Sequence, residues 1–179
     1  MQVMGISGMP GSGKSIVSDM AQEKGAIIIS MGDIIREEAK KRGESTKETA
    51  QNLRKEFGDY IVSELTIKKI KQLSETEENN LIMIEGIRSH HEVKMFKENF
   101  ENFIILSIFA NPAIRFERLL KRMREDDSQD YEWFQQRYYK ELNFGIGNVI
   151  SLSDKLIINE RDIESFREKI DEFFKEINF

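Results

Sequence analysis

The sequence predicts an α/β domain in three layers, with helices on both faces of a five-stranded, mostly parallel sheet. Three observations predict it. Short runs rich in Ile, Val, Leu, Met or Phe recur along the chain, longer amphipathic or charged segments separate them, and a glycine-rich turn directly follows the first run. At 179 residues the chain has the size of one globular domain, spanning 1–179, which would bury roughly two-thirds of the surface its unfolded form exposes.

The strands expected in order are Gln2–Ser7, Ala26–Ser30, Leu81–Glu85, Phe103–Phe109 and Lys155–Asn159. Each is too short for a typical helix and rich in side chains that fit a sheet buried on both faces. Between and beyond them, helical patterns run at about Lys14–Lys24, Asp33–Arg42, Lys47–Leu73, Glu92–Asn99, Pro112–Arg124, Tyr131–Phe144 and Asp162–Ile177. Two helix starts carry their own signals: Ser89 with Glu92 three residues on has capping-box spacing, and Pro112 after Asn111 suits a first turn. Gly58 inside the long 47–73 pattern suggests either a break between two helices or a close approach of backbone to a ligand. No linker, internal repeat or low-complexity segment interrupts the pattern.

Composition narrows the chemistry. The chain is 39% hydrophobic and 33% charged, with a mean hydropathy of −0.51, which fits neither a disordered chain nor a membrane protein. No run approaches the roughly 20 apolar residues of a membrane span, and the start lacks the order of a signal peptide, so the cytoplasm is the expected compartment. With no cysteine and only the adjacent His90 and His91, any metal is expected to be bound through oxygen. A net charge of −5 argues against a general affinity for nucleic acid.

The strongest chemical signal is Gly8-x-x-x-x-Gly13-Lys14-Ser15, set between an apolar strand and a helical pattern. Glycines let the backbone curl so that several N–H groups meet one anion, and the helix start adds positive potential. Residues Gly8, Pro10, Gly11, Ser12, Gly13, Lys14, Ser15 and Ile16 are therefore expected at the phosphates of ATP. Lys14 would reach the β- and γ-phosphates, and Ser15 would offer Mg²⁺ a hydroxyl. A turn that merely packs a strand on a helix would not need the Lys-Ser pair at this register.

A P-loop leaves several reaction classes open, and the rest of the chain must choose. The second strand ends at Ser30-Met31-Gly32-Asp33-Ile34-Ile35-Arg36, where, taken alone, Arg36 reads as a surface arginine behind an ordinary cap. The third ends at Ile84-Glu85-Gly86-Ile87-Arg88. P-loop, Ser-x-Gly-Asp-x-x-Arg and Glu-Gly-x-Arg, in this order and spacing, resemble the adenylate-kinase family of nucleoside monophosphate kinases, and most closely its archaeal adenylate-kinase-related proteins. The resemblance implies strand order 2-3-1-4-5, an acceptor-binding helical region at about 31–75 and a short lid at about 122–138. It implies that Arg36 and Arg88 grip the acceptor's phosphate, beside Met31, Gly32, Asp33, Gly86 and Glu92, and that Glu85 helps to organise Mg²⁺ through water. ATP and Mg²⁺ are the implied cofactors, and AMP the first acceptor.

Arg115, Arg118, Arg122 and Arg124 follow Pro112, and Arg137 lies beyond the acidic stretch Glu125–Asp130. By the same resemblance Arg118, Arg122 and Arg137 are the arginines that neutralise charge on the transferring phosphoryl group, with Arg124 a further candidate. Their bland alternative is a solvated helix whose arginines pair with nearby acids. The lid is short, as in dephospho-coenzyme A kinases. If the acceptor were a hydroxyl, as there, a carboxylate such as Asp33 would be needed to take its proton. Two positions depart from the adenylate-kinase pattern. Met31 stands where a hydroxyl is usual, and Glu92 replaces the glutamine that reads adenine, leaving a capping role as its alternative. Arg54 is a candidate acceptor ligand or part of a solvated face. Asn143–Asn148 reads as a helix end, His90 and His91 as solvated, and Trp133, Phe134, Tyr138 and Tyr139 as packing residues. A kinase-fold ATPase or nucleotide sensor acting on RNA or a protein is the alternative of a different class; oligomeric state is not legible.

Overall fold

A computed structural model describes residues 2–74, 81–122 and 130–179, with backbone alone at 74 and 122. Five strands, β1 (Gln2–Ser7), β2 (Ile27–Ser30), β3 (Leu81–Glu85), β4 (Ile104–Phe109) and β5 (Lys155–Ile158), form one sheet in the order β2-β3-β1-β4-β5. All four pairings are parallel, so every strand ends at the same edge. The register sets Glu85 beside Ser30 on one flank and Ile6 on the other, and Ser7 beside Ser107. The ends of β1, β2 and β3 are thereby brought together, which is where an open parallel sheet presents its crevice.

The connections are helical: α1 (Lys14–Glu23), α2 (Met31–Arg42), α3 (Thr46–Phe57), α4 (Ile61–Ser74), α5 (His90–Asn99), α6 (Pro112–Arg122), α7 (Tyr131–Phe144), α8 (Ile146–Ser151) and α9 (Ile163–Glu176). They cover the sheet with two cores. On one side Val3, Ile82, Ile84 and Ile105 meet Ile34, Ile70, Phe96 and Val149 of the helices. On the other, Met4, Ile6, Met83, Leu106 and Ile157 meet Val17 of α1 and Phe166, Ile170 and Phe174 of α9. Each fully buried side chain of this kind contributes about 1.5–3 kcal/mol against the chain entropy lost on folding.

Local signals explain the boundaries. Ser89 accepts from the Glu92 backbone N–H at 3.2 Å while Glu92 accepts from the Ser89 N–H at 3.0 Å, completing the expected capping box. A second box joins Ser45 and Glu48 at the start of α3. The long 47–73 pattern is two helices, α3 and α4, with Gly58 closing the first at φ 99°. Several elements differ by one to three residues from expectation. Helix α2 begins at Met31, against β2 with no intervening loop, and α5 begins at His90. Helix α8 was not expected: Gly145, in the left-handed region at φ 97°, ends α7 and starts α8 at once. Tyr139 also departs from its packing role, since it is exposed. Among the described residues no helix is long and apolar enough to cross a membrane.

Candidate functional site

A cleft of about 510 Å³ opens at the C-terminal edge of the sheet, between the loop after β1, the ends of β2 and β3, and helices α6, α7 and α8. Its floor is the glycine-rich loop. Gly8, Gly11 and Gly13 have φ of 147°, 79° and 104°, conformations that side chains rarely adopt. Space forbids side chains too: a β-carbon on Gly8 would stand 2.5 Å from the Ile108 carbonyl oxygen, and one on Gly11 2.7 Å from that of Arg115. Helix α1 starts at Lys14 with no side-chain cap and no acidic residue in its first turn, so its leading N–H groups and positive end face the cleft.

Two side chains brace this loop from beneath. Asn159, just past β5, donates from Nδ2 to the Ser12 carbonyl at 2.8 Å, and its Oδ1 accepts from Arg118 Nη2 at 3.3 Å. Arg115, only 2% exposed, donates from Nη1 to the Pro10 carbonyl at 3.3 Å and from Nε to the Ala110 carbonyl at 3.0 Å. Its guanidinium lies against the rings of Phe134 and Tyr138, at 5.5 and 5.2 Å. Arg115 thus supports the loop, whereas Arg118, one turn on, lines the cleft. Arg118 Nη1 and Ser12 Oγ are both buried without a hydrogen-bond partner among the described residues. Burial lowers the pKa of Arg118, a shift that Glu160 partly opposes. A partly buried cation with a buried, unspent donor is stabilised by an anion.

Lys14 donates from Nζ to the carbonyls of Gly8 at 2.6 Å and Met9 at 3.2 Å. Desolvation in the cleft lowers its pKa to about 8; Glu141 and Glu85 pull it up, while Arg88 and Arg137 push it down. Across the cleft stand Gly32, Arg36, Gly86 and Arg88. Gly86, at φ 92°, lets the loop after β3 pass close to α2, where an added β-carbon would lie 3.3 Å from that of Met31. Arg36 is exposed and pairs with Asp33. Arg88 Nε pairs with Glu141 Oε2 at 3.2 Å, and its guanidinium lies over the Phe144 ring at 5.4 Å. Arg137 lines the cleft from α7, 5.2 Å from the Trp133 ring.

Some residues named from the sequence stand elsewhere. Met31 is buried in the core, and Ile16 packs against the opposite core. Asp33 faces Arg36 rather than the cleft. Arg54 does not line the cleft and donates along its own helix to the Ala50 carbonyl at 3.1 Å. Glu92 spends one carboxylate oxygen on two backbone donors, Arg88 N–H at 2.7 Å and Ser89 N–H at 3.0 Å. Its position therefore serves the loop carrying Arg88. For Arg122 only the backbone, at the end of α6, is described; Arg124 and residues 125–129 lie outside the described residues.

The donor set suits a hard cation beside phosphates. The Ser15 hydroxyl and the Glu85 carboxylate line the same cleft, and buried Ser18 on α1 donates to Glu85 Oε1, fixing that carboxylate. Among the described residues no group of three or more His, Asp or Glu could hold a metal ion. The glycine cradle, the unspent Ser12 and Arg118 atoms and this oxygen pair together fit a Mg²⁺-nucleotide.

Comparison with known proteins places the fold and the family. Residues 7–135 match the family described as an AAA domain. A UPF0200 protein of Methanothermobacter thermautotrophicus is 45% identical over 177 residues, covering 99% of this chain and 91% of that one. The chain belongs to the UPF0200 family. A UPF0200 protein of Pyrococcus furiosus is 41% identical, with 96% and 95% of the two chains covered. Among solved structures, TT1252 from Thermus thermophilus superposes with a TM-score of 0.67 at 16% identity, covering 98% of this chain and 97% of that one. Shikimate kinase from Acinetobacter baumannii does so at 0.59 and 13%, with 99% and 93% covered. This UPF0200 chain thus has a P-loop kinase-like fold.

Sequence reading missed three residues of the site. Ser18 carries no motif. Asn159 reads from the sequence as the end of the last strand, with nothing to signal its bond to the Ser12 carbonyl. Glu141 had one available signal, since it follows Arg137 by four residues on the same helix and both face the cleft.

Proposed function

We propose that the protein is an ATP- and Mg²⁺-dependent phosphotransferase that passes the γ-phosphoryl group to a nucleoside monophosphate, AMP first. The observation that carries this reading is the convergence of two cationic sets on one cleft. Lys14 and Ser15 stand on the loop side, Arg36 and Arg88 on the opposite side, and Arg118 and Arg137 overlook both.

The loop N–H groups and Lys14 would hold the β- and γ-phosphates. Ser15, with Glu85 through water, would hold Mg²⁺, which neutralises charge on the phosphate oxygens when bound. Arg36 and Arg88 would each offer a planar fork to the acceptor's phosphate and align its oxygen with the γ-phosphorus. Arg118 Nη1 is buried and unspent, so it can take up charge developing on the transferring group without first giving up a protein partner. An acceptor phosphate is already ionised, and no general base is required. With Met31 buried and Glu92 in its cap, the acceptor base would be read by other residues.

The test is an acceptor screen with purified protein, Mg²⁺ and γ-labelled ATP against AMP, GMP, CMP, UMP, dTMP and dephospho-coenzyme A, with Lys14→Ala as control. Labelled ADP formed with AMP, and lost in the control, is the expected result. Label reaching dephospho-coenzyme A alone would replace the monophosphate by a hydroxyl acceptor. Free phosphate with no labelled acceptor would overturn transfer in favour of a kinase-fold ATPase or nucleotide sensor working on RNA or a protein.

A further inference from the structure

Glu141 is a charged group in the cleft that the transfer scheme does not use. It sits in the last turn of α7, one turn beyond Arg137, and is 9% exposed although its carboxylate faces the cleft. Its Oε2 pairs with Arg88 Nε at 3.2 Å. Among the charges acting on Lys14 it is the leading one, ahead of Glu85. One carboxylate therefore serves as counter-charge both to the lysine that would hold the donor phosphates and to the arginine that would hold the acceptor.

The surroundings of Arg88 fix the rest of this contact. Glu92 holds its backbone N–H and Phe144 lies under its guanidinium. Gly145, which ends α7, stands with its missing β-carbon 3.7 Å from the Arg88 carbonyl oxygen. Helix α7 and the loop after β3 are thus joined side by side, with the ion pair at the mouth of the joint. A carboxylate here costs binding energy to any anion entering between Lys14 and Arg88, because like charges in a partly desolvated cleft repel strongly.

We propose that Glu141 is a positioning residue that withholds Arg88 from the transfer site until a doubly charged phosphate on the acceptor takes the guanidinium from it. This rests on the monophosphate reading above. Such a phosphate brings two negative charges to the arginine fork, against the carboxylate's one, and so wins the exchange. Water and neutral alcohols offer no charge and leave Arg88 with Glu141. The pair therefore selects the acceptor class and suppresses wasteful hydrolysis of ATP. With the pair broken, Arg88, which lies close enough to influence Lys14, is free to act on the γ-phosphate without an acceptor.

The test compares wild type, Glu141→Gln and Glu141→Asp by steady-state kinetics with AMP and ATP, by ATP hydrolysis without acceptor, and by thermal unfolding. Glu141→Gln keeps the side chain's shape and removes its charge. The expected result is a KM for AMP lower by about fivefold or more, with acceptor-free hydrolysis raised by a similar factor. Glu141→Asp should return both towards wild type. A folded Glu141→Gln protein with unchanged KM and hydrolysis, or with a raised KM and unchanged hydrolysis, would overturn the proposal and leave a purely structural brace. Should wild type phosphorylate no monophosphate, the acceptor reading fails by itself. Acceptor-free hydrolysis then still decides the role of Glu141, a rise in Glu141→Gln supporting it and an unchanged rate overturning it.

Discussion

Lys14 stands among charges of both signs, and desolvation outweighs them, holding its pKa at about 8. Phosphates placed against Nζ would raise that value again, so nucleotide binding at alkaline pH would take up a proton. The sign follows: affinity for ATP is flat below about pH 8 and falls by up to tenfold per pH unit above it, until the bound lysine itself titrates. A titration of ATP binding at pH 7, 8 and 9 checks this, and equal affinities at pH 7 and 9 would show that Lys14 does not titrate in this range. Stability of the nucleotide-free protein moves the other way. The unfolded chain holds the Lys14 proton up to about pH 10.5 and the folded one only to about pH 8, so folding gains stability as pH rises between those values. Motif chemistry named Lys14 and Ser15 from the sequence because their spacing is fixed just past a strand end, and the resemblance to adenylate kinases named Arg36 and Arg88. Asn159 lies far along the chain from Ser12, and no local pattern could announce the bond between them.

At the level of elements, the stretch from the end of β3 into the first turn of α5 carries two tasks in eight residues. Glu85 and Arg88 face the cleft, while Ser89 and Glu92 close the helix start. The sequence offered Glu92 two readings, base recognition and capping, and the backbone geometry gives it the cap. Replacing Glu92 with Ala is expected to cost about 1 kcal/mol of stability, the typical worth of an N-terminal cap interaction. It should leave the order of preference among acceptor bases unchanged, and an altered order in the acceptor screen would return Glu92 to base reading. The sharpness of α2 has a related origin. Met31 is drawn into the core under Gly86, so the helix begins directly at the strand end and Gly32 and Arg36 come to the cleft. The short helix α8 escaped sequence reading because its six residues are too few for a 3.6-residue period to show, and because Gly145 looked only like an ending.

For the whole molecule, the two cores clamp a sheet whose central strand β1 has both faces buried, and the functional loop hangs from the end of that strand. Ligand binding at the loop is therefore coupled to global stability. At a hundred times its Kd, Mg²⁺-ATP is expected to add about 2.7 kcal/mol to unfolding, or roughly 5–10 °C in Tm for a chain of this size. Thermal unfolding with and without Mg²⁺-ATP measures it. Lys14→Ala should erase the shift, and a shift surviving in that variant would move the nucleotide away from this loop.

The sequence by itself determined the five strands in order, most of the helices between them, the glycine-rich loop and the positions of the arginines that follow two strand ends. These depend on periodicity and on chemistry between near neighbours, which a linear chain displays. Tertiary structure decided which of those groups share a cleft. It separated Arg115, spent beneath the loop, from Arg118, left with an open donor, although both lie on one helix face. It also set Glu141 between Arg88 and Lys14, residues 53 and 127 positions away in sequence. Burial and electrostatic partnership are properties of the space between elements, and only the packed sheet and its helices create that space.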